Sequence, residues 1–432
     1  MNKPVYPFRE IGIGHYPMGN SPVTPEDSKR LPSMMNLNHA APSSKLVYVH
    51  IPFCDSICPF CPYPKAFNEQ TARQEYLTAL FRELEMYGSA PQIRNCSVEA
   101  LYIGGGTPSV LDEEEIMALF EQLQATLPMH NIEEITFEGN PASFTAAKLK
   151  LLFALGVNRI SLGVQTFNDE LGRRLGLLQT SEDSLRTIQQ SREAGISNVS
   201  LDLMYNLPGQ SMEEWLEDLE KVVELGIGHV TLFPLKIIPG FGLAKRIASG
   251  ELPACGDLAL EQQMYYEACR YLESQGYAVE STYDFVQPGG HHIYSRKHFD
   301  DHLDLLSVGL GAFGEVGGYA YQNVKLLPEY VKKITSGELP VSLGYQVTPE
   351  DLPNQFLAMG LRRTAIDRQL FRRKFGTFPE EHFPELFDKF VKAGLVEIRE
   401  ETIALTRFEG LFWGNNVCKE FCEEHIKIAF PK

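Results

Sequence analysis

The chain has 432 residues, 44% of them hydrophobic and 22% charged, with no low-complexity tract. That excludes a largely disordered protein and leaves room for an α/β barrel of roughly 200 to 250 residues plus a smaller appendage. Lysine and arginine number 39 against 56 acidic residues, a formal charge of −17, so a nucleic-acid backbone meets repulsion over most of the surface and is not an expected partner. No apolar run approaches the roughly 18 residues needed to span a bilayer, and the N-terminus lacks the apolar core of a signal peptide, so a cytoplasmic location without a membrane partner is expected.

Residues 1–44 are rich in Pro, Gly, Asn and Ser and read as an extended arm wrapping the surface. From residue 46 short β-branched runs alternate with polar segments of helical apolar spacing. The expected strands are Leu46 to Ile51, Val98 to Gly104, Glu134 to Glu138, Arg159 to Val164, Val199 to Tyr205 and His229 to Leu235. Between them lie expected helices near 69–87, 113–126, 143–154, 181–194 and 211–224, each long enough to cross between parallel strands. Six such units fit a partial or full β/α barrel. A helix near 258–275, a strand from Tyr277 to Tyr283 and Gly-rich turns at 309–318 extend it. After about residue 340 the rhythm changes to helices near 350–361, 367–374 and 381–393, followed by a short β-like pair ending at Ile403 to Leu405, which reads as a small α+β module.

Eight cysteines occur, and three crowd into Cys54-Asp-Ser-Ile-Cys58-Pro-Phe-Cys61, directly after the first strand. In a large chain of a reducing compartment this clustering favours metal ligation over disulfides. Three thiolates can hold three irons of a cubane and leave the fourth open to an external ligand. The alternatives on spacing alone are a zinc site with His50 as fourth ligand or plain burial.

Parallel sheets gather their chemistry at the carboxyl ends of the strands. Gly104-Gly105-Gly106-Thr107-Pro108 follows the second strand, where successive glycines let a ligand approach the backbone; Asp112 to Glu115 beyond it match the helix dipole. Glu138-Gly-Asn140-Pro141, Gly163-Val-Gln165 and Asp202 end the next three strands. A carboxylate there can pair with ribose hydroxyls and a carboxamide can both donate and accept, although each alone also reads as a cap or turn residue.

With YVHIPFC-x3-C-x2-C, GGGTP, the Glu138 strand end, GVQTFN and LDLMYNLPGQ in this order, the chain resembles the oxygen-independent coproporphyrinogen III oxidase-like (HemN-like) radical S-adenosylmethionine (SAM) family from about residue 45 to 430. The resemblance implies a partial (β/α)6-type radical SAM barrel over residues 45–335, and a C-terminal HemN-like helical and winged module over 340–432. It implies a [4Fe–4S] cluster on Cys54, Cys58 and Cys61, with SAM at the cluster beside Tyr48, Gly105 and Glu138. A second SAM would lie near Phe60, Gly106, Thr107, Gln165 and Asp202. No catalytic side chain beyond these is assigned.

Several segments depart from the family pattern. Pro62-Tyr63-Pro64-Lys65 stands where the oxidases continue with a Gly-Cys-Asn-Lys-like stretch. His291-His292-Ile293-Tyr294-Ser295-Arg296 replaces the heme chaperones' H-N-x-x-Y-W-like segment, and Leu177 stands in place of an arginine. What remains looks most like the class C methyl-transferring branch, which includes anaerobilin synthases. The resemblance then implies two SAM molecules, one giving a 5′-deoxyadenosyl radical and the other a methyl or methylene group for an sp2 carbon of a heteroaromatic or tetrapyrrole substrate, with a flavodoxin or ferredoxin as reductant. Heme degradation, a non-catalytic heme chaperone and coproporphyrinogen oxidation are the alternatives.

Three further groups carry weaker signals. Cys418-Lys-Glu-Phe-Cys422-Glu-Glu-His425 has metal-like spacing, but Cys418 and Cys422 are also i, i+4 neighbours suited to a core. His298-Phe-Asp300-Asp301-His302 reads as an exposed polar loop that could chelate a cation. Tyr283 and Asp284 could face a substrate or form a strand-end hydrogen-bond pair.

Overall fold

Six strands run parallel and in sequence order: β1 (Ser43–Ile51), β2 (Cys96–Gly105), β3 (Glu134–Gly139), β4 (Arg159–Gln165), β5 (Asn198–Tyr205) and β6 (His229–Pro234). This computed structural model describes residues 5–12, 14–39, 41–290 and 292–422. Crossing between the strands are α1 (Gln70–Gly88), α2 (Glu113–Thr126), α3 (Ala146–Ala154), α4 (Ser181–Glu193) and α5 (Met212–Glu224).

Local chemistry starts several of these helices. Asp112 with Glu115, Thr180 with Asp183 and Ser211 with Glu214 form reciprocal capping boxes, each satisfying otherwise orphaned backbone donors at about 1 kcal/mol. Tertiary packing completes them. Trp215 of α5 is fully buried and its indole N–H donates to the Met264 carbonyl at 3.0 Å, pinning α5 to the helix Leu258–Ser274.

The two faces of the sheet differ in kind. Ile135, Phe137, Ile160, Leu162, Val199, Leu201, Val230 and Leu232 are buried and apolar, and they alternate with Thr136, Glu138, Arg159, Ser161, Ser200, Asp202, His229 and Thr231. Strand register aligns the second set, pairing Glu138 with Ser161, Ser161 with Ser200, Ser200 with His229 and Asp202 with Thr231. With side chains alternating at a period of two, all eight share one face. The apolar face packs the helices, and the polar face lines the concave interior.

The sheet continues beyond β1. Asp304–Val308 pairs parallel with β1 on the edge opposite β2, and leads through antiparallel Phe313–Val316, Tyr319–Asn323 and Val341–Gln346 to the edge strand Ser21–Pro22. Beyond β6, Asp284–Val286 and Ala278–Val279 close the other end, giving 13 strands in linear order.

Four expectations are corrected. The single strand from Tyr277 to Tyr283 is instead two short strands, broken where the Thr282 N–H turns to the Arg362 carbonyl at 3.1 Å. The Gly-rich stretch 309–318 contains the strand Phe313–Val316. The helix at 381–393 divides into Pro379–His382 and Pro384–Lys392, because Pro384 has no N–H to continue the first. The arm is not simply extended over the surface: it holds the helix Pro25–Met34, and Arg9, His15, Tyr16, Leu31 and Met35 are buried. Arg9 is wedged over the rings of Tyr265 and Phe412, 4.6 Å from each centroid.

Candidate active site

The cysteine loop leaves the carboxyl end of β1 and is fastened by its own backbone. The Asn68 N–H reaches the Cys54 carbonyl at 3.0 Å, the Ala66 N–H reaches the Pro52 carbonyl at 2.7 Å and the Cys61 N–H reaches the Cys58 carbonyl at 3.2 Å. The unusual stretch after Cys61 shuts the loop. Lys65 Nζ donates to the carbonyls of Cys61 and Tyr63, and the Pro64 carbonyl sits 3.0 Å from His50 Nε2.

Three thiols therefore share one short turn. Burial raises the Cys54 pKa, opposed by the Thr107 hydroxyl that donates to its sulfur at 3.4 Å and reinforced by the charge of Cys61. Burial and then both neighbouring cysteines push Cys58 up to about 11. Thiolates crowded into one turn repel one another and need a cationic centre to be stable as ligands, and iron supplies it. The donor set fits a cluster. A zinc site with His50 is not formed, since both ring nitrogens are engaged within the fold, Nδ1 with the Tyr48 hydroxyl at 3.0 Å and Nε2 with the Pro64 carbonyl at 3.0 Å. Among the described residues no three His, Cys, Asp or Glu side chains form a set for a single metal ion, whereas cubane thiolates each bind a different iron.

The glycine turn lies against this loop. Gly106 N–H bonds the Ile51 carbonyl at 2.8 Å, and a Cβ on Gly106 would lie 2.6 Å from the Pro52 carbonyl carbon. Gly105 has φ +121, and a Cβ there would strike the His50 ring at 2.7 Å. Only glycine permits so close an approach. Thr107 follows directly, with its hydroxyl on Cys54.

Across the interior stand the strand-end groups. Glu138 accepts the Gly105 N–H at 3.2 Å, and its pKa is pushed up to about 8 by burial and then by Asp202. Asp202 is pushed up to about 6 by burial, with Arg159 the largest opposing charge. Arg159 is buried and donates to His229 Nδ1 at 2.7 Å. That contact requires Nδ1 to be the acceptor, so Nε2 carries the hydrogen toward Asp284 Oδ1 at 3.3 Å. Burial opposes ionisation of Asp284, but His229 and Ser281 hold its pKa well below the usual carboxylate range. His229 thus bridges Arg159 to Asp284, and Glu138 and Asp202 share the same interior face and feel the Arg159 charge.

The structure brings the sequence-predicted residues into three neighbourhoods. Cys54, Cys58, Cys61, Thr107, Gly105 and Gly106 surround the loop, with Tyr48 below it and its ring stacked 6.0 Å from Tyr102. Glu138 and Asp202 share the charged interior. Gln165 occupies a turned strand end with φ +69, where the β4–β5 register shifts. Phe60 packs beside Leu171, Leu175, Met204 and Leu243, an apolar wall on which Leu177 also sits.

The weaker candidates resolve differently. Cys418 and Cys422 are buried in the core, and His425 lies outside the described residues, as does His291. His298 does not lie on an exposed loop: it is buried, stacked 5.3 Å from His15 of the arm, with Nε2 on the Gly14 carbonyl at 3.1 Å. Asp300 pairs with Arg363 at 3.4 Å. The Tyr283 hydroxyl accepts the Gly12 N–H at 3.1 Å, so the arm caps this end of the barrel.

Sequence reasoning missed Arg159, Asp218 and Gln179. A lone arginine opening an apolar strand was a usable signal for the first. The other two sit in ordinary helical and loop contexts that carry none.

The radical SAM superfamily matches residues 48–222, and the HemN C-terminal domain matches residues 347–412. The heme chaperone HemW of Bacillus subtilis (strain 168) is 30% identical over 382 residues, covering 88% of this chain and 100% of that protein. The anaerobilin synthase of Escherichia coli O157:H7 is 26% identical over 407 residues, 94% of this chain and 90% of its own. The oxygen-independent coproporphyrinogen III oxidase of Salmonella typhimurium is 28% identical, covering 87% of this chain and 84% of its own. The solved coproporphyrinogen III oxidase HemN from Escherichia coli superposes with a TM-score of 0.80 at 26% identity, over 90% of this chain and 92% of that one.

Proposed function

The chain belongs to the HemN-like radical SAM family, and on that premise we propose that it uses two SAM molecules to transfer a methyl or methylene group to an sp2 carbon of a tetrapyrrole or related heteroaromatic substrate. Membership implies a [4Fe–4S] cluster and SAM. When bound, the cluster supplies the electron that cleaves SAM reductively to methionine and a 5′-deoxyadenosyl radical. Cys54, Cys58 and Cys61 would hold it, closed over by Lys65. Tyr48, Gly105 and Glu138 would receive the SAM at the cluster, and Phe60, Gly106, Thr107, Gln165 and Asp202 the second.

One observation carries the reading: Glu138 and Asp202 are two half-buried carboxylates on separate strands of the same interior face, each with its pKa raised by desolvation although Arg159 opposes the shift. Each is poised to ionise against a positively charged ligand. SAM is such a ligand through its sulfonium and its amine, and two carboxylates suit two of them. Phe60 and the apolar wall exclude water from the second position, which keeps a reactive intermediate from quenching.

The substrate class follows from the relatives, whose names concern heme, anaerobilin and coproporphyrinogen. With the chain divided into an arm of residues 1–44, a barrel of residues 45–335 and a module of residues 340–432, the arm and the module would supply the substrate contacts. A flavodoxin or ferredoxin would deliver the electron. Full-length coverage of a heme chaperone favours a second reading, in which the chain carries heme without turning it over.

The test is anaerobic reconstitution with dithionite and SAM, with and without heme, quantifying 5′-deoxyadenosine and S-adenosylhomocysteine by mass spectrometry. Both products, formed together, support the two-SAM reading. Heme stimulation with loss of the Soret band makes heme the substrate. 5′-Deoxyadenosine without S-adenosylhomocysteine overturns methyl transfer, and heme binding without either product supports the chaperone.

A further inference from the structure

Between the strand end that carries Glu138 and the one that carries Gln165 lies a side chain outside the motifs quoted above. Gln179 is 8% exposed and spans the gap with its single carboxamide. Its Oε1 accepts the Asn140 Nδ2–H at 2.7 Å, and its Nε2 donates to the carbonyls of Gly163 at 3.0 Å and Val164 at 3.3 Å. Asn140 is in turn fixed, its N–H on Ser109 Oγ at 3.0 Å and its Oδ1 on the Ala142 N–H at 2.8 Å. Ser109 belongs to the segment that follows Gly-Gly-Gly-Thr-Pro. A hydrogen-bonded line therefore runs from the glycine turn through Ser109, Asn140 and Gln179 to the backbone just before Gln165.

The far side of Gln165 is held independently. Asp218 of α5 is 2% exposed, and it accepts the Phe167 N–H at 2.7 Å and the Thr166 hydroxyl at 2.8 Å. Gln165 itself has a positive φ, a conformation that costs a non-glycine residue energy unless its surroundings enforce it. Gln179 enforces it from the β3 side and Asp218 from the α5 side. Parallel strands fix residues only within the ladder; beyond the last ladder bond, strand-end loops need such ties to hold a common geometry.

We propose that Gln179 is a positioning residue that sets the Glu138 loop and the Gln165 turn at a fixed separation, and so aligns the two ligand positions with each other. This rests on the two-SAM reading for the identity of the second ligand, but its first consequence does not. Loss of the tie leaves Asn140 held only on its Ser109 and Ala142 side and separates the Glu138 loop from the Gln165 turn, which weakens SAM at the cluster whether or not a second SAM binds.

The experiment compares wild type with Gln179→Leu, which removes all three hydrogen bonds, and Gln179→Glu, which keeps the acceptor for Asn140 and removes the donor to the β4 carbonyls. Iron per chain and melting temperature are measured first, then SAM affinity by the change that SAM produces in the EPR spectrum of the reduced cluster, then the ratio of S-adenosylhomocysteine to 5′-deoxyadenosine. Gln179→Leu is expected to weaken SAM about threefold to tenfold at unchanged iron content, the range of one or two buried hydrogen bonds. Gln179→Glu is expected to spare that affinity and lower the product ratio. SAM affinity unchanged in Gln179→Leu, or falling only in step with iron content, overturns the proposal. Absence of S-adenosylhomocysteine from the wild type overturns the two-SAM reading and leaves the affinity test standing. If Gln179→Leu fails to fold, an unchanged affinity and product ratio in Gln179→Glu overturn the proposal.

Discussion

The cysteine loop and the opposite wall of the barrel are built in different ways. The loop is local: fourteen residues from Tyr48 to Cys61 hold the thiols, and backbone bonds and close-fitting glycines shape it. The opposite wall is assembled from strands β3 to β6 and Asp284, and its shape depends on charges that meet only after folding. Glu138 and Arg159 come from adjacent strands, while His229 and Asp284 are 55 residues apart. Local construction gives a rigid receptacle, whereas assembled charge gives groups whose ionisation responds to what binds.

Substitutions should separate these two modes. Cys58→Ala should abolish cluster retention and all 5′-deoxyadenosine formation without unfolding the barrel, as measured by iron content, product assay and circular dichroism; retained iron and activity would break the assignment. Arg159→Met removes the largest charge opposing the Asp202 shift and the donor to His229 Nδ1, and should cost about 1 to 3 kcal/mol in urea unfolding. Gly106→Ala forces a Cβ toward Pro52 and should cost about 1 to 3 kcal/mol while reducing iron uptake, a loss visible in the same two measurements.

The smallest effect concerns pH. The folded, ligand-free protein has Glu138 at about 8, above its usual value, so the group is mostly protonated at pH 6 and ionised above pH 8. A cationic ligand favours the ionised form. SAM affinity should therefore rise with pH between 6 and 8, by at most about tenfold per pH unit, with proton release on binding. Isothermal titration in buffers of different ionisation enthalpy measures that proton, and Glu138→Gln should flatten the profile.

These modes also explain how much the sequence disclosed. All six parallel strands were legible because β-branched runs recur between helical spacings, and the cysteine loop was legible because its ligands are neighbours in sequence. The Tyr277 to Tyr283 strand misled because its break comes from Thr282 pairing with distant Arg362, a contact without local signature. His298 looked like a surface residue because its cover, His15, lies far away in the arm. Gln179 was silent for the same reason: its importance lies in joining two loops, neither of which it belongs to.

β1 is an interior strand, hydrogen-bonded to parallel neighbours on both edges, Asp304–Val308 and β2. The loop that ends it puts Cys54 on a two-residue strand paired with Ala66–Phe67, a small ladder separate from the main sheet, and leaves Cys58 and Cys61 outside any ladder. Maturation can then follow folding: the polypeptide reaches its final shape first and receives iron and sulfide afterwards. Oxidative loss of the inorganic core would leave behind an intact vessel, ready to be refilled without a second round of folding.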